Sequence, residues 1–306
     1  MSFEKTSPGT TASSCSPPKP LPEYVSDELE YLQPSQVDEA ARLLADCFLD
    51  DSNPSPQYSW IFEELLLTEE EEERAPRAAG NHKEDPRIGS KRRSRQRDAL
   101  RWIFRKNLEI ELEHDAAQNR TTACRCSFRR KPNQPPEMVC FFILKDVQSP
   151  TTNNSGSTDK KDGESGDGTK ISTWTMLRNG ILWFPILFGW RVFYRLLVVK
   201  NYFDTATLEL LSSNHVVRSC RALERVVVHP SLQGKGVGTF FLRKALFGEG
   251  TDDGSAGNGN SGGGSVILHT QEERNVAFYS RLGFVVVKKD RPFSGGTNWA
   301  MVMTSS

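Results

Sequence analysis

The stretch VVVHPSLQGKGVGTF, Val226 to Phe240, constrains this chain more than any other. An apolar run without polar alternation runs into a turn holding Gly234, Gly236 and Gly238, and then into residues apolar at helical spacing (Phe240, Phe241, Ala245, Leu246). That order predicts a strand, a tight turn and a helix from about Lys235 to Phe247. A strand with no polar side is expected to be covered on both faces, which calls for helices packed around a sheet. Two familiar phosphate-binding turns are excluded by spacing. A P-loop needs a hydroxyl residue after its lysine, and Lys235 is followed by Gly236. A dinucleotide fingerprint needs G-x-G-x-x-G, and the three glycines here read G-x-G-x-G. The turn still aims several amide N–H groups and the positive end of a helix dipole at one spot. A lysine in the first turn of a helix is opposed by that dipole, so Lys235 fits best opposite an anion. The alternative is a plain tight turn with an exposed lysine.

The rest of the chain supplies an α/β frame for this unit. Strands are expected at Glu28–Gln33, in TACRCSF and EMVCFFILKD as a hairpin, at Arg221–Val228, in SVILHT, FVVVKKD and NWAMVM. Helices are expected over PSQVDEAARLLADCFLDD, with Ser35 as N-cap, over RQRDALRWIFRKNLEIEL, within Trp174–Leu211, and over EERNVAFYSRLG. Period-two alternation along the strand at 221–228 would put Glu224, Val226 and Val228 on one face. Low apolar content marks residues 1–22 as a disordered tail, and about 68–98, 148–170 and 248–265 as flexible insertions in a single domain spanning 23–306.

Charge and cysteine content narrow the setting. The 39 Lys and Arg balance the 39 Asp and Glu, so no global field recruits nucleic acid or a membrane. The six cysteines form no C-x-x-C pair, which argues against a zinc finger and a disulfide framework and fits a reducing intracellular compartment; the cytoplasm is the expected location. The basic run at 91–97 would permit nuclear entry, or serve as a partner to the glutamates at 69–73. The apolar segment Ile181–Val199 is too interrupted by Arg191, Arg195, Pro185 and Gly189 to span a bilayer. It is expected to be an amphipathic helix, or two short ones broken near Pro185, packed on the domain as core or as a substrate-side wall. No metal and no membrane partner are expected. The sequence leaves the oligomeric state open.

With these residues in place, VVVHPSLQGKGVG resembles the acyl-CoA signature of the GNAT superfamily of N-acetyltransferases, Q/R-x-x-G-x-G/A, through Gln233, Gly236 and Gly238. LHTQEERNVAFYSRLGF, Leu268 to Phe284, resembles the strand and helix ending in N-x-x-x-Y-x-x-x-G-F of fungal, puromycin-acetyltransferase-like members. Weaker likeness extends to Asp38, Phe48, Asp51 and Pro54, and to Gly180, Pro185, Gly189 and Arg195. The resemblance implies a mixed, mainly antiparallel central sheet with two splayed parallel strands, flanked by helices. It implies acetyl-CoA as co-substrate, no metal, and an acceptor amine, on a small molecule in preference to a protein, that attacks the thioester through a direct tetrahedral intermediate. Cofactor contacts would fall to Val226, Val227 and Val228, to the amides of Gln233, Gly234, Lys235, Gly236, Val237, Gly238 and Thr239, and to Asn275 and Tyr279. Tyr279 would protonate the departing sulfur, or else be an aromatic packed beside Phe278 and Phe284. Glu224 would be the general base, one step offset from a familiar arrangement that falls at Ala222, with His215 as alternative. Trp183, Phe188, Trp190 and Tyr58 would line an acceptor pocket or the core. A different class of function is a catalytically silent acyl-CoA-binding scaffold.

Overall fold

The computed structural model describes residues 21–22, 25–50, 55–63, 86–119, 121–129, 133–148, 180, 183–212, 219–248, 264–293 and 296–304. Most of the polar segments named above lie outside these residues, as do Asp51, Pro54 and His215.

The described strands are β1 (Glu30–Tyr31), β2 (Cys124–Arg129), β3 (Glu137–Gln148), β4 (Ser219–Val228), β5 (Ser265–Thr270), β6 (Val285–Phe293) and β7 (Gly296–Met303). They form one seven-stranded sheet in the order β1-β2-β3-β4-β5-β7-β6. Every neighbouring pair is antiparallel except β4 and β5, which are parallel. The helices are α1 (Val37–Phe48), α2 (Pro56–Ile61), α3 (Pro86–Ala117), α4 (Phe184–Phe188), α5 (Trp190–Ser212), α6 (Val237–Phe247) and α7 (Glu273–Ser280). This is the mixed α/β architecture expected, with a mostly antiparallel sheet flanked by helices.

Each face of the sheet buries its own core. On one, Val37, Ala40, Ala41 and Leu44 of α1 and Leu100, Ile103, Phe104 and Leu108 of α3 pack with Phe141, Ile143 and Val227. The spacing of those positions turns one stripe of each helix inward. Asp38 and Glu39 in the first turn of α1 complement its dipole. Glu39 also accepts a hydrogen bond from the Met138 amide at 2.6 Å, which fixes α1 on β3. Further along the same face, Leu210 and Leu211 of α5 cover Ala222, Ile267 and Val302. On the other face, Val237, Phe241 and Leu242 of α6 and Tyr279 of α7 pack with Phe142, Leu223 and Met301.

Four boundaries differ from the sequence reading, each for a local reason. The first strand shrinks from Glu28–Gln33 to Glu30–Tyr31. Ser35 does not cap α1. A 3-10 turn, Pro34–Gln36, precedes that helix, and the Gln36 side chain accepts from the Gln33 amide at 2.8 Å. Residues 86–98, placed in a polar insertion, are the opening turns of α3. Lys, Arg and Gln are good helix formers, and the basic run is anchored. Gln96 donates to the Phe62 carbonyl at 2.9 Å, and Arg97 pairs with Asp46 at 3.3 Å. Finally, the break expected near Pro185 falls at Gly189. Pro185 sits in the first turn of α4, where its missing N–H removes no helical bond.

Candidate active site

The parallel pairing of β4 with β5 runs from Cys220↔Ser265 to Leu223↔Leu268 and stops. β4 continues to Val228 and β5 to Thr270, so the two strands part in mid-sheet. Beyond Leu223 the β5-facing edge of β4 has no strand partner, a place where an extended ligand can add as a strand would.

A bulge sits at this opening. Between Phe141↔Val227 and Ile143↔Glu224, β4 has one residue more than β3, and Arg225 takes φ of 53°. The extra residue breaks the alternation expected along this strand. Glu224 and Val227 fall on the α1/α3 side of the sheet, whereas Val226 and Val228 join the α6/α7 side. The expectation that Glu224, Val226 and Val228 share a face is therefore corrected. Val227, named as a cofactor contact, has its side chain buried under α1 and α3. The triplet is also less fully covered than expected, since Val226 and Val228 are only partly buried.

The turn after β4 has the expected course, but the helix opens at Val237, so Lys235 lies in the turn before it and not in its first turn, a correction to the dipole argument for that lysine. Pro230–Leu232 makes a 3-10 turn, Gly234 has φ of 74°, and Gly236 caps α6 with φ of 86° and ψ of −5°. That left-handed conformation suits glycine, because a Cβ would strain it. The Gln233 and Lys235 amides are engaged within the turn, donating to the Pro230 and Leu232 carbonyls at 3.3 Å each. The Gln233 side chain donates to the Val228 carbonyl at 3.1 Å and ties the turn to the end of β4. Those two amides are thus committed internally, a correction to the seven-amide cradle. The opening amides of α6, at Val237, Gly238 and Thr239, have no carbonyl one turn back to bond. Gly238 serves packing. A Cβ there would lie 3.1 Å from Val228 Cγ2 and 3.6 Å from Phe278 Cζ. That clearance lets α6, the end of β4 and α7 meet at one point, and it brings the two sequence motifs together.

Tyr279 lies in this junction. Its ring packs edge-on against Phe278 and Phe284, with centroids 5.1 and 5.7 Å away. Its hydroxyl makes no hydrogen bond to a described residue. Burial, with Glu272 and Cys140 adding to it, raises the phenol well above its ordinary pKa, so it stays protonated at neutral pH. Asn275 lies one turn earlier on α7, partly buried.

Glu224 sits across the sheet. Burial pushes its carboxyl up, but Lys145, bonded at 2.9 Å, and Arg225 outweigh that and hold it below the usual carboxylate range. Glu224 is thus an ionised partner of Lys145. Tyr58 lies close enough to feel both Glu224 and Arg225, and burial pushes its phenol up to about 12. It packs with Phe48 and Phe104 as core. Phe188 also packs against that core, whereas Trp183 and Trp190 are exposed.

Two residues at the opening had no strong signal in the sequence. Cys47 of α1 donates its thiol to the Val228 carbonyl at 3.5 Å, and burial pushes that thiol up to about 12. His269 follows the last β4–β5 pair, directly in register beyond Leu268. The Asn298 amide nitrogen donates to its Nδ1 at 3.2 Å, while Nε2 lies 3.4 Å from Thr207 Oγ1. Asn298 is oriented by Gln271, which donates to its Oδ1 at 3.2 Å, and by Tyr202, whose hydroxyl accepts from it at 3.0 Å. Tyr202 in turn donates to Asp290. The network fixes a neutral imidazole with its proton on Nε2. Burial lowers the His269 pKa from 6.5 to about 4. The unfolded chain therefore binds more protons in that window, and the stability His269 contributes is present above 6.5 and lost as pH falls toward 4. Urea unfolding from pH 7 to 4 should show wild type losing on the order of 2 kcal/mol more than His269→Gln. Parallel slopes for the two proteins would contradict the assignment.

A strand–turn–helix whose opening amides have no carbonyl one turn back is set beside a parted parallel pair. Residues 196–286, from within α5 to the start of β6, match the family model described as the acetyltransferase (GNAT) domain. A comparison with curated proteins gave no match. Among solved structures, one described as a histone acetyltransferase and related acetyltransferase from Corynebacterium glutamicum is 15% identical, covering 91% of this chain and 96% of its own, at a TM-score of 0.42. An agmatine N-acetyltransferase is 10% identical, covering 92% and 100%, at 0.43. The Drosophila melanogaster polyamine N-acetyltransferase is 11% identical, covering 91% and 99%, at 0.37. Likenesses of this size carry no information on substrate.

Proposed function

We propose that this chain is an acetyl-CoA-dependent N-acetyltransferase of the fungal, puromycin-acetyltransferase-like kind, acting on a small amine in the cytoplasm. One observation carries the reading. The parted β4/β5 edge, the opening amides of α6 and the protonated Tyr279 converge on one side of the sheet, held together through Gly238. The residues suit coenzyme A. Val237, Gly238 and Thr239, with Gly234 and Gly236, would hold its pyrophosphate, and Lys235 would add a charge. The backbone of Val226 and Val228 would pair with the pantetheine amides. Asn275 is the further contact on α7.

Transfer forms a bond from the amine nitrogen to the thioester carbon and breaks the carbon–sulfur bond. The sulfur leaves with the bonding electron pair and takes a proton from Tyr279. A backbone N–H near Val228 would stabilise the oxyanion. Glu224 faces the gap from the opposite side, so the acceptor is assigned to the α1/α5 face and the thioester to the α6/α7 face. The proton lost by the amine goes to water or to Glu224, whose pairing with Lys145 keeps it ionised but weakly basic.

Purified protein should release coenzyme A thiol from acetyl-CoA when offered at least one class among polyamines, aminoglycosides, aryl amines and peptides. Binding of acetyl-CoA with no thiol release above background across that panel would replace the enzyme by the silent scaffold.

A further inference from the structure

The bulge where β4 and β5 part carries a charged side chain that the fold leaves without a bonded partner. Among the described residues, Asn119, Asn133 and Arg225 are the non-glycine positions with a positive φ. Asn119 follows α3 and Asn133 lies between β2 and β3, and asparagine visits the left-handed region readily. Arg225 does so inside a strand, at φ of 53°. A bulge that turns through this region ordinarily takes glycine. A long side chain held there is strained, and strain of this kind collects at functional sites. The Arg225 guanidinium lies over the Phe104 ring, 5.6 Å from its centre, which puts it on the α1/α3 side of the sheet with Glu224. The extra residue thus brings two consecutive side chains to one face, where plain alternation would oppose them. Beyond that ring, Arg225 makes no hydrogen bond or ion pair with a described residue, and none of its nitrogens is sealed from solvent.

The neighbouring charges show what those donors could take. Glu224 is bonded to Lys145 at 2.9 Å, and Lys145 also feels Glu111, so both carboxylates on this face have the lysine. Arg225 acts on Glu224 only through space. On the other lip of the gap His269 is neutral, and Lys288, which acts on it, is paired with Glu209 at 2.5 Å. The acceptor face therefore presents an ionised carboxylate and a guanidinium with its planar fork of five N–H donors unengaged, on adjacent residues. Their complement is a zwitterion, with an ammonium toward Glu224 and an anion toward Arg225. The fork matches a planar carboxylate through two parallel hydrogen bonds. A singly charged anion also suffers less repulsion from Glu224 than a doubly charged phosphate would. Adjacent residues hold the two charges close together, as the amine and carboxylate of an amino acid are.

We propose that Arg225 selects the acceptor and that the acceptor is an amino acid, its carboxylate held by the Arg225 guanidinium and its amine brought to the gap beside Glu224. The inference rests on the acetyl-transfer reading and names the substrate class of that site. The test compares kcat/KM of the full chain, with acetyl-CoA, for amino acids and for the amines that lack only the carboxylate: tyrosine with tyramine, leucine with isoamylamine, lysine with cadaverine. At least one amino acid should exceed its partner by about 10–100-fold, the range for a charge-assisted hydrogen-bonded pair. Arg225→Gly suits the left-handed bulge, and Arg225→Gln keeps its strain. Both should bring that ratio to within about threefold of one. Coenzyme A affinity, set on the opposite face of the sheet, should change by less than about threefold in either variant. A wild-type ratio near one in every pair would overturn the proposal and leave acetyl transfer standing. So would a preference that either variant keeps, or thiol release with the wider amine panel but with none of these amino acids. No thiol release with any acceptor would overturn the acetyl-transfer reading, and this proposal with it.

Discussion

Replacing Tyr279 with Phe is expected to lower the rate of acetyl transfer by about 10²–10⁴-fold, the range for loss of a positioned general acid. The substitution removes one oxygen and keeps the ring that packs between Phe278 and Phe284. The hydroxyl makes no bond to a described residue, so the fold loses little with it. Burial keeps the phenol protonated throughout the working pH range and also makes it a weaker acid, so it gives its proton only as negative charge builds on the departing sulfur beside it. Coenzyme A affinity should therefore change by less than about threefold, because the lost interaction develops as the sulfur departs. Steady-state kinetics with a calorimetric affinity for coenzyme A would separate the two effects. A variant retaining wild-type kcat would reduce Tyr279 to an aromatic packing residue.

Gly236→Val should weaken coenzyme A binding by about 10–100-fold, equivalent to about 1.4–2.8 kcal/mol. Gly236 holds φ of 86° at the start of α6. An L-residue in that region costs roughly 1–2 kcal/mol, and a β-branched one is a true outlier there. The chain relieves that strain by turning the residue out of the left-handed region, which rotates the amides of Val237, Gly238 and Thr239 away from their common focus. Gly248 closes the same helix at φ of 75° with open space around it. Gly248→Val, at φ of 75° and ψ of 165°, is the control, carrying backbone strain of at least equal size at the far end of α6. Equal losses of affinity in the two variants would mean that the turn contributes through stability alone.

The elements carrying the site were the most legible part of this chain. SVILHT is β5 to the residue, and the turn and helix after Val228 lie where spacing put them. Both are local: apolar runs and glycines at a turn act over a few residues. Three features were not legible because they depend on distant partners. The bulge at Arg225 exists only in the register between β4 and β3, so strict alternation misplaced Glu224. The role of Gly238 depends on Phe278, far along the chain, coming within 3.6 Å of its missing Cβ. His269 had no motif around it, and its environment is built by Thr207 and Tyr202 of α5 and Asn298 of β7. The segment at 86–98 failed for a further reason. Low apolar content points to disorder, although Lys, Arg and Gln are also strong helix formers once a few of them have anchors.

Hydrogen exchange of the wild-type protein, with and without coenzyme A, tests the central claim most directly. Slowed exchange confined to the amides at Gly234, Gly236–Thr239 and the Val226–Val228 edge of β4 is the expected result. Unchanged exchange there, with coenzyme A either unbound or protecting some other part of the sheet, would contradict it.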